Sequence, residues 1–112
     1  MEEWIRNIPH AKTVRLTEEI DYEPGKVASK TLAQRPGVGM TLFAFDIGEG
    51  IRTHAAGGDA MAQVLEGEAE ITVGGVVHWV TAGHAIVMPA GVPHSLHALT
   101  PFKMLLTVVM EA

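Results

Sequence analysis

From Gly37 onward, glycine or proline interrupts the chain about every eight to twelve residues, and the stretches between are short and apolar. A helical domain needs longer uninterrupted stretches with recognisable caps, and no segment provides them. Short strands joined by tight turns remain, and several in succession pack as an antiparallel sandwich or barrel.

Read in order, residues 27–34 have the length of a strand but mixed faces, which suits a sheet edge. Pro36-Gly37-Val38-Gly39 is a break. Residues 40–47 are apolar at nearly every position, as in a strand covered on both faces. Gly48-Glu49-Gly50 turns the chain into residues 51–54, and Ala55-Ala56-Gly57-Gly58-Asp59 is a loop of small residues. Residues 60–66 and 68–73 are strands either side of Gly67. Gly74-Gly75 is a hairpin signal that pairs residues 76–81 back on the preceding strand. Residues 86–88, 95–99 and 102–110 complete the series.

The 112 residues suit one domain, with a barrel core over residues 27–110 and an N-terminal segment over 1–11. Trp4, Ile5 and Ile8 in that segment suit a short helical turn, or a tail that docks on the domain or on a second copy. Cysteine is absent, which removes disulfides, thiolate metal sites and cysteine nucleophiles together. The net charge of −5, with lysines and arginines scattered, argues against nucleic acid as partner. No apolar run approaches the roughly 20 residues of a membrane-spanning helix. Glu2 and Glu3 stand where a signal peptide carries positive charge, so the expected location is the cytoplasm.

The stretch with the strongest chemical signal is Gly83-His84-Ala85-Ile86-Val87-Met88-Pro89-Ala90-Gly91-Val92-Pro93-His94. Pro89, Gly91 and Pro93 restrict the backbone ahead of His94, so the imidazole enters its strand from a defined position. This block closely resembles the second motif of the cupins. Gly48-Glu49-Gly50-Ile51-Arg52-Thr53-His54, continuing through Val64-Leu65-Glu66-Gly67-Glu68, resembles their first. The resemblance implies an all-β, antiparallel double-stranded β-helix, a jelly-roll barrel of six to eight strands. It also implies a homodimer that exchanges edge strands, for which residues 27–34 are the candidate.

The resemblance further implies a metal site made of two histidines and a glutamate from the first motif and one histidine from the second. His54 and His94 match the first and last of these ligands. Ala56 and Ala60 occupy the other two positions, and Ala98 stands where an asparagine often follows. The metal site is therefore degenerate. Asp59, one residue before the missing glutamate, is the nearest carboxylate that the glycines could bring inward to complete a two-histidine, one-carboxylate set for iron, zinc, nickel or manganese. The bland alternative is that Asp59 caps its loop. Phe43, Phe45, Met61, Met88, Leu96 and Met104 are expected walls of an apolar pocket, with core packing as the alternative for each. By strand alternation Gln63 faces away from Ala60 and Ala62, so it is a candidate only for a polar group reached across an interface. His78, His84 and His97 are expected at the surface, and His10 carries no signal.

Two functions suit these residues. In the first, a small organic molecule binds without metal, its polar head on His54 and His94 and the rest on apolar walls; an isomerase or lyase using the pair as acid and base is a variant. In the second, a divalent metal on the same pair acts as Lewis acid or oxygen activator on a small substrate. A ligand-free structural homodimer is a third possibility, which two placed histidines do not require. The expectation taken forward is a small-molecule-binding barrel.

Overall fold

Every stretch expected to be a strand is one. The strands are β1 (Val27–Arg35), β2 (Val38–Phe45), β3 (Gly50–His54), β4 (Asp59–Glu66), β5 (Glu68–Val73), β6 (Val76–Thr81), β7 (Ala85–Met88), β8 (His94–Ala98) and β9 (Phe102–Val109). In the computed structural model, which describes residues 3–112, they form two antiparallel sheets. The strand orders are β1-β2-β9-β4-β7 and β3-β8-β5-β6. This is the jelly-roll barrel, with nine strands among the described residues where six to eight were expected. Residues 27–34 do form an edge, as β1.

One boundary moves for a clear reason. β2 begins at Val38, inside the expected break, because Gly37 takes φ 92° and confines the turn to Pro36-Gly37. Arg35 then pairs directly with Val38. β2 ends at Phe45, because Asp46 turns its carboxylate back onto the backbone amides of Gly25, at 2.6 Å, and Ile47, at 2.8 Å. Those two hydrogen bonds, Gly25 foremost, hold Asp46 below the usual carboxylate range.

Strand alternation divides the apolar residues into two cores. Phe43, Phe45, Ala60, Ala62, Phe102 and Met104 turn inward, where they meet Ile71, Leu96 and Ala98 of the facing sheet. Phe45 and Phe102 stack within this core, rings nearly parallel and 4.4 Å apart. Leu42 and Ala44 turn outward and are buried just as completely, with Ile20 and Leu32 and with half-buried Ile8, Tyr22 and Leu105. The apolar pattern of residues 40–45 is thus explained by cover on both faces, while Ile47, beyond the end of β2, stands 61% exposed.

The outer cover is the segment that precedes β1. It crosses the sheet through a 3-10 turn at Leu16–Glu18, which nothing in the sequence had indicated. The N-terminal tail docks on its own domain: the Arg6 amide donates to the Leu32 carbonyl and the Asn7 side chain to that of Thr31. The expected segment includes residues 1 and 2, which lie outside the described residues. Lys103 points outward from β9 but is only 7% exposed. Its ammonium donates to the Thr17 carbonyl at 2.6 Å, sits 4.0 Å from the Glu66 carboxylate and lies over the Tyr22 ring. The Tyr22 hydroxyl donates to the same carboxylate at 2.6 Å. Burial, and then that carboxylate, push its ionisation well above the usual range. A buried ammonium without such partners would cost several kcal/mol, so the segment's carbonyl and the Tyr22 ring help Lys103 as much as Lys103 holds the segment.

Gly67, between β4 and β5, has φ 80°, and a Cβ there would run into the Pro101 carbonyl and Phe102. Gly75 has φ 81° and open space around it. We expect Gly67→Ala to cost about 3 kcal/mol or more and Gly75→Ala about 1 kcal/mol of backbone strain alone. Thermal unfolding of both variants measures the difference, and equal losses would show that the close approach at Gly67 does not matter.

Candidate functional site

The β7–β8 loop is held from several sides. The Val92 amide closes a turn onto the Pro89 carbonyl at 3.1 Å. Gly91 donates to the Ala56 carbonyl, and Pro93 accepts from Gly74. The Ala90 amide donates to Asp59 Oδ1 at 2.8 Å. A loop tied to β4, to the β3–β4 connection and to the β5–β6 turn has little freedom left, and it delivers His94 to the first position of β8.

His94 is 3% exposed, and its Cα partner across the β3–β8 ladder is His54, which stands in solvent. Their ring centroids are 4.4 Å apart with an interplanar angle of 69°. Each ring turns Nδ1 to the carbonyl two residues before it, His54 to Arg52 at 2.9 Å and His94 to Val92 at 3.1 Å. A carbonyl can only accept, so each bond places the neutral ring's proton on Nδ1 and leaves the Nε2 lone pair available. The pair is two oriented imidazoles, one at the surface and one beneath it.

The other expected metal ligand does not join them in a metal-holding group. Asp59 has an oxygen committed to the Ala90 amide, so its observed role is to cap the loop that carries His94. Among the described residues no three histidine or carboxylate side chains are grouped to hold a metal. Zinc and ferrous iron usually take three protein ligands. The donors in place are two nitrogens, and Ala56 and Ala60 offer only methyl groups. These residues do not by themselves make up a metal cage.

The expected pocket walls also need correction. Phe45, Met88, Leu96 and Met104 are 0%, 1%, 4% and 0% exposed. A side chain with almost no accessible surface borders no space large enough for water, so these four are packed core and not pocket lining. Ala60, Ala62 and Ala98, which by composition should leave room, are equally covered because neighbouring large side chains fill the volume. Met61 turns outward with Gln63, since Ala60, Ala62 and Val64 take the inward positions of β4. Only Phe43 of the expected walls is inward-facing and half-buried. Ile51, Leu106 and Val108 share that condition and were missed. The signal for two of them was present: Phe102, Met104, Leu106 and Val108 alternate along the last strand with the period of one sheet face. Val108 lies opposite Ala60, and Ala60 opposite Met88, so this side of the wall ends at the loop that carries His94. His78, His84 and His97 are exposed, as expected, and so is His10.

If Asp59 acts by holding the loop, Asp59→Ala should lower stability by about 1 kcal/mol and shift the His94 imidazole resonances. Asp59→Asn, whose amide oxygen still accepts from Ala90, should preserve both. NMR with chemical denaturation decides, and a silent Asp59→Ala would remove the loop-holding role.

Residues 41–110 match a family model described as a cupin domain. No curated protein matches the sequence. Among solved structures, a conserved protein of unknown function from Streptococcus pyogenes is 45% identical with a TM-score of 0.96, over 99% of this chain and 97% of that one. A cupin superfamily protein from Desulfitobacterium hafniense is 28% identical with a TM-score of 0.91, over 96% and 98%. A cupin 2 conserved barrel domain protein from Leptotrichia buccalis is 39% identical with a TM-score of 0.81, over 83% of this chain and 45% of that one.

Proposed function

The chain belongs to the cupin family, and from that premise we propose that it binds a small organic molecule at the barrel mouth, with His54 and His94 holding the ligand's polar head. The observation that carries this reading is that both rings, 4.4 Å apart, are oriented by a bond from Nδ1 to the carbonyl two residues before, Arg52 for His54 and Val92 for His94. Orientation of this kind directs Nε2 at a ligand without loss of side-chain freedom on binding. A carboxylate is the head group best matched, because a protonated imidazole donates to it with charge assistance. The apolar remainder rests against Phe43, Ile51, Leu106 and Val108.

A divalent transition metal on the same two nitrogens is the second reading. Ring orientation by an Nδ1–H bond to a backbone carbonyl also favours it, since metal-binding histidines are held in this way. Its chemistry would be Lewis-acid polarisation of a substrate oxygen. The protein supplies two ligands where such sites usually take three, so the metal-free reading is preferred, and acid–base chemistry by the pair is its catalytic extension.

Screening small carboxylic acids by ligand-observed NMR tests the proposal. His94→Ala should abolish binding and His54→Ala should weaken it about tenfold or more. A bound acid indifferent to His94→Ala would place the site elsewhere. Metal analysis of untagged protein after dialysis separates the readings: about one equivalent of iron, zinc, nickel or manganese, lost in His54→Ala, would replace the metal-free reading with the metal one.

A further inference from the structure

The inner face of the five-stranded sheet changes character from one side to the other. On β9 and β4 it is apolar and sealed, with Phe102, Met104, Ala60 and Ala62 at most 2% exposed. On β1 and β2 it turns polar and opens. Thr31 and Thr41 are half-buried and Gln34 is exposed. Four strands face five, and the β1 side is the part left uncovered. Residues 46–49 carry the chain from β2 to β3 on this same side, so the edge strand that bears His54 borders the opening.

A β-bulge on each side of the opening decides which residues look into it. β1 pairs regularly with β2 as far as Thr31 and then slips, so that Ala33 pairs with Met40 and Gln34 with Gly39. Plain alternation from Thr31 would turn Ala33 and Arg35 inward. Instead Leu32 is packed in the outer core, Ala33 turns outward with Met40, and Gln34 turns inward. Its carboxamide lies across Gly39, with Oε1 3.6 Å from the place a Cβ would occupy there. β3 slips likewise between Ile51 and His54, which brings His54 onto the face of Ile51, opposite His94. Bulges beside functional sites re-aim side chains in this way. Gly39 lies opposite Val108, so a single row of the sheet joins Gln34 to the wall that ends at the loop carrying His94. In the next row Thr31 and Thr41 stand opposite one another, beside Leu106. Among the described residues, the side chains of Gln34, Thr31 and Thr41 have no hydrogen-bond partner.

We propose that Gln34, Thr31 and Thr41 are specificity residues that read a neutral hydroxyl or carbonyl group on the ligand's far end. This rests on the reading of the site given above, in which the acid head lies on His54 and His94. The lining sets the chemical class. Two hydroxyls and a carboxamide both donate and accept, which suits a neutral polar group. The charged residues of β1 turn away: the Lys30 ammonium donates to the Glu19 carbonyl, and the Arg35 guanidinium lies over the Trp4 ring. β2 has no charged residue. A phosphate or second carboxylate would therefore find no counter-charge on this face. The ligand class is a small hydroxy or oxo acid, its apolar middle against Phe43, Leu106 and Val108. The scale is that of a small molecule, since β1 lies about 10 Å from β9 within the sheet.

The probes are the straight-chain acids from butanoic to octanoic, each with and without a terminal hydroxyl, and the matching diacids, titrated against the intact chain by NMR. At the chain length that fits, the hydroxy acid should bind about tenfold tighter than its parent acid, and the diacid should gain nothing. Thr41→Val and Gln34→Leu nearly keep the side-chain shape. Each should remove most of that advantage and leave the parent acid's affinity unchanged. Thr72→Val, on the outer face of the four-stranded sheet, should change neither. Should Thr41→Val fail to fold, Gln34→Leu, at an exposed position, carries the test. Parent and hydroxy acids bound equally well, both lost in His94→Ala, would overturn this inference and leave the histidine reading standing. So would a hydroxy-acid advantage that survives both substitutions. Acids that do not bind, or that bind regardless of His94→Ala, would overturn the histidine reading and this inference with it.

Discussion

β9 is hydrogen-bonded on both sides, to β2 and to β4, and its residues are buried on both faces at the Phe102 end. Much of the structure follows from that position. Its inward side chains, Phe102 and Met104, fill the space between the sheets. Its outward Lys103 needs a cover with carbonyls to offer, because a buried ammonium must be paired or solvated. The segment before β1 provides that cover through the Thr17 carbonyl and the Tyr22 ring. A strand that is central in a sheet and sealed on both sides requires both a second sheet and an outer strap, and this chain supplies both within 112 residues.

The packing of the barrel decides where a ligand can go. With Phe45, Phe102, Met88 and Ile71 almost wholly inaccessible, the closed end is filled. What remains is the mouth, where β3 ends, β8 begins and the β7–β8 loop is pinned by Asp59, Ala56 and Gly74. His54 and His94 are adjacent because the β3–β8 ladder pairs them, and oriented because each ring is tied to a backbone carbonyl two residues before it, in β3 for His54 and in the β7–β8 loop for His94. Neither property depends on a third ligand. The alanines at 56 and 60 could remove carboxylate and imidazole from the family pattern without disturbing the two rings that remain.

Strand positions were legible because glycine and proline leave few alternatives, and the hairpin at Gly74-Gly75 is a local matter of turn geometry. His94 was legible for the same reason: rigid residues precede it. The role of Asp59 was not, because its partner, the Ala90 amide, is distant in sequence and meets it only when β4 and β7 pair. The pocket walls were misjudged for a related reason. Phe45, Met88 and Leu96 are apolar strand residues whether they border a cavity or fill it, and only the facing sheet distinguishes the two. Met61 could have been excluded by alternation alone, since Ala60, Ala62 and Val64 take the inward positions.

The sequence by itself determined an all-β chain, the order and approximate ends of its strands, the absence of thiol chemistry and the defined backbone ahead of His94. These are local properties, set by turn residues and by side-chain period. Tertiary structure alone decided that the rings of His54 and His94 lie together, that Asp59 serves a loop, that Phe45, Met88 and Leu96 are packed core and that a strap covers part of one sheet. Each of these depends on a contact between residues far apart in the chain, and such contacts exist only once the two sheets have closed on one another.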